Sequence, residues 1–184
     1  LPVHADETAF GDCLATLRGQ AAAVRVSGDS FDTHTRDLAA DMSVLELLDA
    51  QPEFTTPIWD YLAALVDAQR IRDGQAMLTT HAATLAQVAQ AYGVDAETVV
   101  AVWGVESDYG RIAGRRPLLQ SLATLSCNGR RQAFFRSELL ALLRLIDRGD
   151  LVADGLTGSW AGAFRQTPFI PSTYARIAVA GDGD

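Results

Sequence analysis

Residues 101–114 read AVWGVESDYGRIAG, an apolar run with one carboxylate, Glu106, close to its end. Asp95 stands where a helix cap belongs, and positions 99, 102, 103 and 106 share a face by the i, i+3, i+4, i+7 rule. The segment therefore predicts a helix whose apolar stripe Val99, Val102, Trp103 continues into Glu106. A carboxylate in such a stripe is partly desolvated, which disfavours its charged form and suits a general acid. Ser107, Asp108, Tyr109 and Gly110 then end the helix and leave Glu106 at the lip of a cleft. Two plainer readings stand beside this one: an exposed residue in a last turn, or an ion pair with Arg111 or Arg116. Asp108 is a second acid, but two positions on in a helix it points elsewhere, a poor match for the paired carboxylates of ordinary glycosidases.

Helical periodicity also dominates on both sides of this segment. After Asp6, read as an N-cap, Phe10, Cys13, Leu14, Leu17 and Ala21 recur on one face. A turn and short helix follow in SGDSFDTHTRD, 27–37. Pro52 breaks the chain, and Thr56 with Pro57 opens a new helix whose core side is Trp59, Leu62, Leu65 and Val66. One helical pattern runs from Gln69 to Tyr92 and stops at Gly93. Two more helices are expected over 117–126 and 131–147, the second with Phe134, Phe135, Leu139, Leu142 and Leu143 inward. Beyond Gly155, GSWAGAFRQTPFIPSTY reads as loop and short helix. Strand-like alternation is nearly absent, so the class is mainly α with little or no sheet.

The totals bound the function. A chain of 184 residues, 48% hydrophobic, suits one globular domain or a compact pair of lobes. No apolar stretch approaches the roughly 20 residues that cross a bilayer. A net charge of -8 argues against a nucleic-acid module, which relies on clustered Lys and Arg. Cys13 and Cys127 lie far apart, which excludes CxxC metal or redox motifs and leaves either two buried thiols or one long-range bridge. His4, His34 and His81 share no spacing with other ligands and receive no metal or catalytic role.

AVWGVESDYGRIAG, then RRPLLQSLATLSCNGRRQAFFRSELLALL, then GSWAGAFRQTPFIPSTY, with QPEFTTPIWDYL upstream, resembles in order the motifs of the lytic murein transglycosylase B family. The likeness runs from about Phe10 to Tyr174. It implies a lysozyme-like helical fold and non-hydrolytic cleavage of peptidoglycan between N-acetylmuramic acid and N-acetylglucosamine, leaving a 1,6-anhydro sugar. Glu106 matches the family's only catalytic acid. Ser159 falls on a serine that positions the sugar; by sequence alone it is a loop serine acting as a cap. Tyr61 matches a tyrosine of the substrate groove, and otherwise reads as an interfacial core residue. Arg130 and Arg131 match a pair facing stem-peptide carboxylates, and otherwise read as a solvated helix start. Trp103 and Trp160 are aromatic enough to be sugar platforms, but Trp103 reads as core packing.

The resemblance further implies no cofactor, glycan strands as the partner, a monomer, and work in the periplasm with any signal or membrane anchor outside this chain. An oxidising compartment tilts the cysteine question to a Cys13–Cys127 disulfide. Two departures stand out: where the family loop reads GAMGQTQFMPSSY, this chain has Arg165 at a glycine and Pro168 at a substrate-facing glutamine. Gln166 is retained as a groove candidate. The single domain, 1–184, ends in AVAGDGD where relatives continue through an Asp-rich segment and more helix. Gly181 to Asp184 cannot supply a calcium loop's ligand set, so no metal is expected. A catalytically impaired, peptidoglycan-binding relative is the alternative function.

Overall fold

The structure, a computed structural model, describes residues 3–49 and 56–178. Within them the chain divides into two compact units. The first takes 3–49, 114–164 and 169–178; the second takes 56–113 and 165–168.

The first unit comprises α1 (Val3–Ala21), α2 (Gly28–Thr35), α3 (Ser43–Asp49), α8 (Leu118–Cys127), α9 (Gln132–Asp147) and α10 (Pro171–Ile177). Its only sheet among the described residues pairs β1 (Arg116–Pro117) antiparallel with β2 (Thr157–Gly158). The mainly helical class follows as expected. Phe135, Leu139, Leu142, Leu143 and Ile146 of α9 are buried against Leu118, Leu122, Ala123 and Leu125 of α8 and against Phe10, Leu14, Leu17 and Phe31. Residues 121–126 are all buried, and two of the three hydroxyls there find partners close by while Ser121 Oγ has none among the described residues. Ser126 Oγ donates to Leu122 O (2.6 Å), and Thr124 Oγ1 donates to Gln120 O (2.8 Å) while accepting from Asp41 N (2.9 Å). Glu138 is buried on α9, where its carboxylate accepts from Ser172 N (2.9 Å) and Ser172 Oγ (2.7 Å) and so caps α10 from outside.

Cys13 and Cys127 form a disulfide with a Cα–Cα separation of 5.8 Å, tying α1 to the end of α8. The expected start of α1 is revised: the helix already includes Val3, so Asp6 lies inside it and is not its cap. Ser27 does cap α2, accepting from Ser30 N.

The second unit holds α4 (Ile58–Leu65), α5 (Ala68–Thr80), α6 (Ala82–Tyr92) and α7 (Ala96–Ser107). The single pattern expected from Gln69 to Tyr92 is two helices broken at His81, which leaves helical geometry (φ -108°, ψ 19°). A change of direction inside one periodic run leaves no trace in hydrophobic spacing. Asp67 caps α5 by accepting from Gln69 N (2.7 Å) and Arg70 N (2.9 Å). Gly93 ends α6 in the left-handed region (φ 67°), as its position predicts.

Two expected apolar faces are corrected here. The assigned core side of α4 is exposed, with Trp59 at 77% and Val66 at 54%, and no residue of α4 is buried. IWDYLAAL does carry an apolar face, Ile58, Leu62 and Leu65, opposite Asp60, but the structure leaves Ile58 and Leu62 exposed; periodicity marks a face without saying what covers it, and α5, α6 and α7 pack on one another. On α7 the buried positions are Val100, Gly104 and Ser107, not the stripe ending in Glu106. Val102 and Glu106 are exposed. The inward face follows small residues because a tyrosine ring is packed against them, as described next.

Candidate active site

The end of α7 is the most heavily bonded place in the second unit. Asp108, in the left-handed region, is the C-cap, and its N–H donates to Gly104 O (2.9 Å). Ser107 Oγ donates to Trp103 O (3.1 Å) and accepts from Gly110 N (3.1 Å), closing the turn from within. The Tyr109 hydroxyl donates to Arg70 O on α5 (2.7 Å), and its ring meets Trp103 edge-on at 5.8 Å. Trp103 meets His81 in the same manner at 5.4 Å, so Trp103 is packing rather than a free platform.

Charges surround this turn in pairs. Arg111 bridges Asp73 (2.7 Å) and Asp108 (3.3 Å), and Asp108 also faces Arg70 Nε at 3.6 Å. The Arg111 hydrogen bond holds the Asp73 carboxyl below its ordinary range, and Asp73 in return raises Arg111. Burial pushes the Tyr109 hydroxyl upward, with the neighbouring Asp73 adding to it. Arg116 is spent on Asp41 (2.7 Å) in the first unit.

Glu106 has no hydrogen bond or ion pair with any described residue. Both arginines considered as its partners are engaged elsewhere, so the ion-pair reading fails. The expectation of a carboxylate sunk in an apolar recess fails too, because Glu106 is exposed. What remains is a carboxylate free to act, on a helix end that is itself held firmly.

The other candidates divide between the units. In the second, Tyr61 lies exposed on α4, and Gln166 Nε2 donates to Gly110 O (3.3 Å), so Gln166 ties 165–168 to the turn after Glu106. Arg165 has φ 66°, which explains why a glycine suits that position: the backbone there is left-handed whichever side chain it bears. In the first unit, Ser159 closes its own turn rather than capping a helix. Its N–H donates to Ala163 O (2.7 Å) and its Oγ accepts from Ala163 N (3.0 Å). Arg130 donates to Leu48 O, and the Arg131 guanidinium lies 4.6 Å from the Phe134 ring centre. Trp160 packs on the core edge. A cavity of about 590 Å³ lies in the first unit between Val24, Arg136, Leu140, Arg144 and Ser172, and none of the candidates lines it.

Sequence reading missed Tyr109, although two signals pointed to it. Gly74 and Gly104 sit in helix interiors, where glycine weakens a helix unless something packs closely against it. Among the described residues no group of three or more His, Cys, Asp or Glu is arranged to hold a metal, and the tail at 181–184 lies outside them.

Residues 9–184 match the family described as Transglycosylase SLT domain. The chain is 33% identical over 152 residues to membrane-bound lytic murein transglycosylase B of Escherichia coli (strain K12), a match covering 77% of this chain and 42% of that protein. SltB3 from Pseudomonas aeruginosa, in complex with NAG-NAM-pentapeptide, aligns with a TM-score of 0.88 at 44% identity, over 95% of this chain and 47% of that one. Its complex with NAG-anhNAM-pentapeptide aligns equally well, with a TM-score of 0.88. Soluble lytic transglycosylase SltB1 from the same organism gives a TM-score of 0.85 at 31% identity, over 93% of this chain and 58% of that one. This chain thus spans about half the length of these relatives. With one family matched across nearly all its residues and the same helical architecture in solved members, the chain belongs to the transglycosylase SLT domain family.

Proposed function

We propose that this chain carries the catalytic acid of a peptidoglycan lytic transglycosylase, and that the acid is Glu106. The observation that carries this is the isolation of that carboxylate: around the end of α7, Asp73 and Asp108 are tied to arginines while Glu106 has no partner among the described residues. A group that must bind, release and rebind a proton cannot be locked to a guanidinium. The fold does not desolvate Glu106, so a bound glycan must supply that desolvation by covering it.

The reaction then needs a single group. Protonated Glu106 donates to the glycosidic oxygen as its bond to C1 of the muramoyl sugar breaks. The substrate's own N-acetyl oxygen stabilises the positive C1. The Glu106 carboxylate next takes the proton from the C6 hydroxyl, whose oxygen closes on C1 to give the 1,6-anhydro ring and restores the acid. No water enters, and no second carboxylate is required. The relative SltB3 has been crystallised with NAG-NAM-pentapeptide and with NAG-anhNAM-pentapeptide, the second carrying the anhydro end that such a step would leave.

Tyr61, Ser159, Arg130, Arg131 and Gln166 are proposed to bind the glycan strand, the two arginines through stem-peptide carboxylates. Periplasmic work agrees with the disulfide, which persists in oxidising compartments, and a monomer is proposed alongside it. No described helix is long and apolar enough to cross a membrane.

The test compares wild type with Glu106→Gln on purified sacculi, reading anhydro-muropeptide release and pelleting with the wall. Release by wild type only, with pelleting by both, supports the assignment. Equal release by both removes Glu106 from the chemistry, and pelleting without release by either points to a wall-binding relative.

A further inference from the structure

The chain reverses directly after Glu106 through three successive left-handed residues, Asp108 (φ 49°), Tyr109 (φ 55°) and Gly110 (φ 84°). Glycine adopts this conformation freely, but an aspartate and a tyrosine give up roughly 1–2 kcal/mol each to do so. Strain of this kind persists only where the surroundings over-determine it. Here they do, and the tyrosine itself is one of the contacts that hold the turn.

The Tyr109 ring occupies a slot that exists only because two helices lack a side chain. A Cβ on Gly104 of α7 would lie 2.6 Å from Tyr109 Cζ, and a Cβ on Gly74 of α5 would lie 2.7 Å from the Tyr109 hydroxyl oxygen. The hydroxyl reaches through this slot to donate to Arg70 O (2.7 Å). Arg70 in turn donates from Nη1 to Leu65 O and Ala64 O at the end of α4. On the open side the Arg111 guanidinium lies 5.8 Å from the ring centre and holds Asp73 and Asp108 together.

We propose that Tyr109 is a positioning residue for Glu106: the ring seated against Gly74 and Gly104, with its hydroxyl on the Arg70 carbonyl, locks the reversal and thereby fixes the last turn of α7. The inference rests on the reading of Glu106 as the catalytic acid. It explains how an exposed carboxylate with no partner among the described residues can still be presented in one place. Its orientation comes from the backbone beneath it, and that backbone is held by a residue three positions on. Tyr109 touches no reacting atom in this account and acts only through Glu106.

Three variants separate positioning from general structure: Tyr109→Phe, Gly74→Ala and the two combined. Tyr109→Phe keeps the ring and removes the hydroxyl, so kcat for anhydro-muropeptide release should fall about tenfold with KM within about twofold, since a small misplacement of a reacting group costs turnover before affinity. Gly74→Ala drives a methyl group into the hydroxyl and should cost more. The combined variant should recover to the level of Tyr109→Phe, because without the hydroxyl the new methyl meets only Tyr109 Cζ at 3.5 Å and Val100 Cγ1 at 3.8 Å, ordinary contacts. Plain weakening of α5 predicts no such recovery.

Wild-type kcat in Tyr109→Phe, additive losses in the combined variant, or a kcat that falls only as the folded fraction falls would each overturn the proposal. Amide hydrogen exchange over 108–112 supplies the readout that does not depend on activity. It should quicken in Tyr109→Phe while α8 and α9 keep wild-type protection, and unchanged exchange there overturns the lock. A wild type that releases no anhydro product, with exchange behaving as predicted, defeats the catalytic reading of Glu106 and with it the purpose of the lock, but not the lock itself.

Discussion

The two units of this chain are held together by different means. In the first, whole helix faces are buried: Leu118, Leu122, Leu125, Leu139, Leu142 and Leu143 are all sealed from solvent, and a disulfide ties α1 to the end of α8. In the second, Leu85 and Val100 are the only buried apolar side chains among the described residues, while Ile58, Trp59, Ile71 and Ile112 stand more than half exposed. What holds α5 to α7 is a clasp of directional contacts: one tyrosine, two glycines and the Arg70, Asp73, Asp108 and Arg111 set. Area burial is non-directional and tolerates small errors of placement; a clasp does not. The proposed catalytic acid, Glu106, sits on the clasped unit, where a single substitution should change geometry more readily than it unfolds the chain.

Substitutions in the two units should therefore fail in different ways. Leu139→Ala in the first unit should lose about 2–5 kcal/mol in denaturant unfolding, the range for a leucine deleted from a sealed core. Replacing both Cys13 and Cys127 by serine should cost about 2–5 kcal/mol and appear first as faster amide exchange in α1 and α8. If exchange in α5 and α7 rose just as much, the separation of the units would be wrong. Glu138→Ala should cost about 1–3 kcal/mol by leaving Ser172 N without its acceptor, and should fray α10.

A pH series sharpens the same contrast. In both units Asp41, Asp67, Asp73 and Asp147 have carboxyls held below their ordinary values by hydrogen bonds. Each adds stability that is present above about pH 4 and is lost as pH falls through its folded value, so acid should weaken both units. Alkali should not. Burial raises the Tyr109 hydroxyl, so its contribution is complete below about pH 10 and disappears as pH rises through the folded value, loosening 108–112. That alkaline loosening should be missing in Tyr109→Phe. The smallest effect belongs to α4, where Leu62→Ala should change stability by no more than about 0.5 kcal/mol.

These differences also mark how far the sequence could be read. The first unit was legible because α1 and α9 repeat apolar residues at helical spacing, Phe10, Leu14, Leu17 and Ala21 on one and Phe135, Leu139, Leu142 and Leu143 on the other, and those positions are buried. The pairing of Cys13 with Cys127 came from the family resemblance, not from spacing. The second unit resisted because its elements break that link: α4 has an apolar face that stays exposed, and α5 runs into α6 without a gap in period. The stripe drawn through Val102 and Glu106 failed because α7 buries its smallest residues, making room for a ring that arrives from beyond the helix end. Hydrophobicity scales cannot register a contact that depends on a missing side chain. Glu106 was singled out by its place in an apolar run and, like Ser159, was given a role by the family resemblance; the surroundings of both came from the structure alone.

The central claim is that one unpaired carboxylate performs both proton transfers without water. Digesting purified sacculi in ¹⁸O-labelled water with wild type and with Glu106→Gln, and weighing the released muropeptides, tests it directly. The account predicts unlabelled 1,6-anhydro ends from wild type and no release from the variant. Reducing ends carrying ¹⁸O, or anhydro ends released equally by Glu106→Gln, would contradict it.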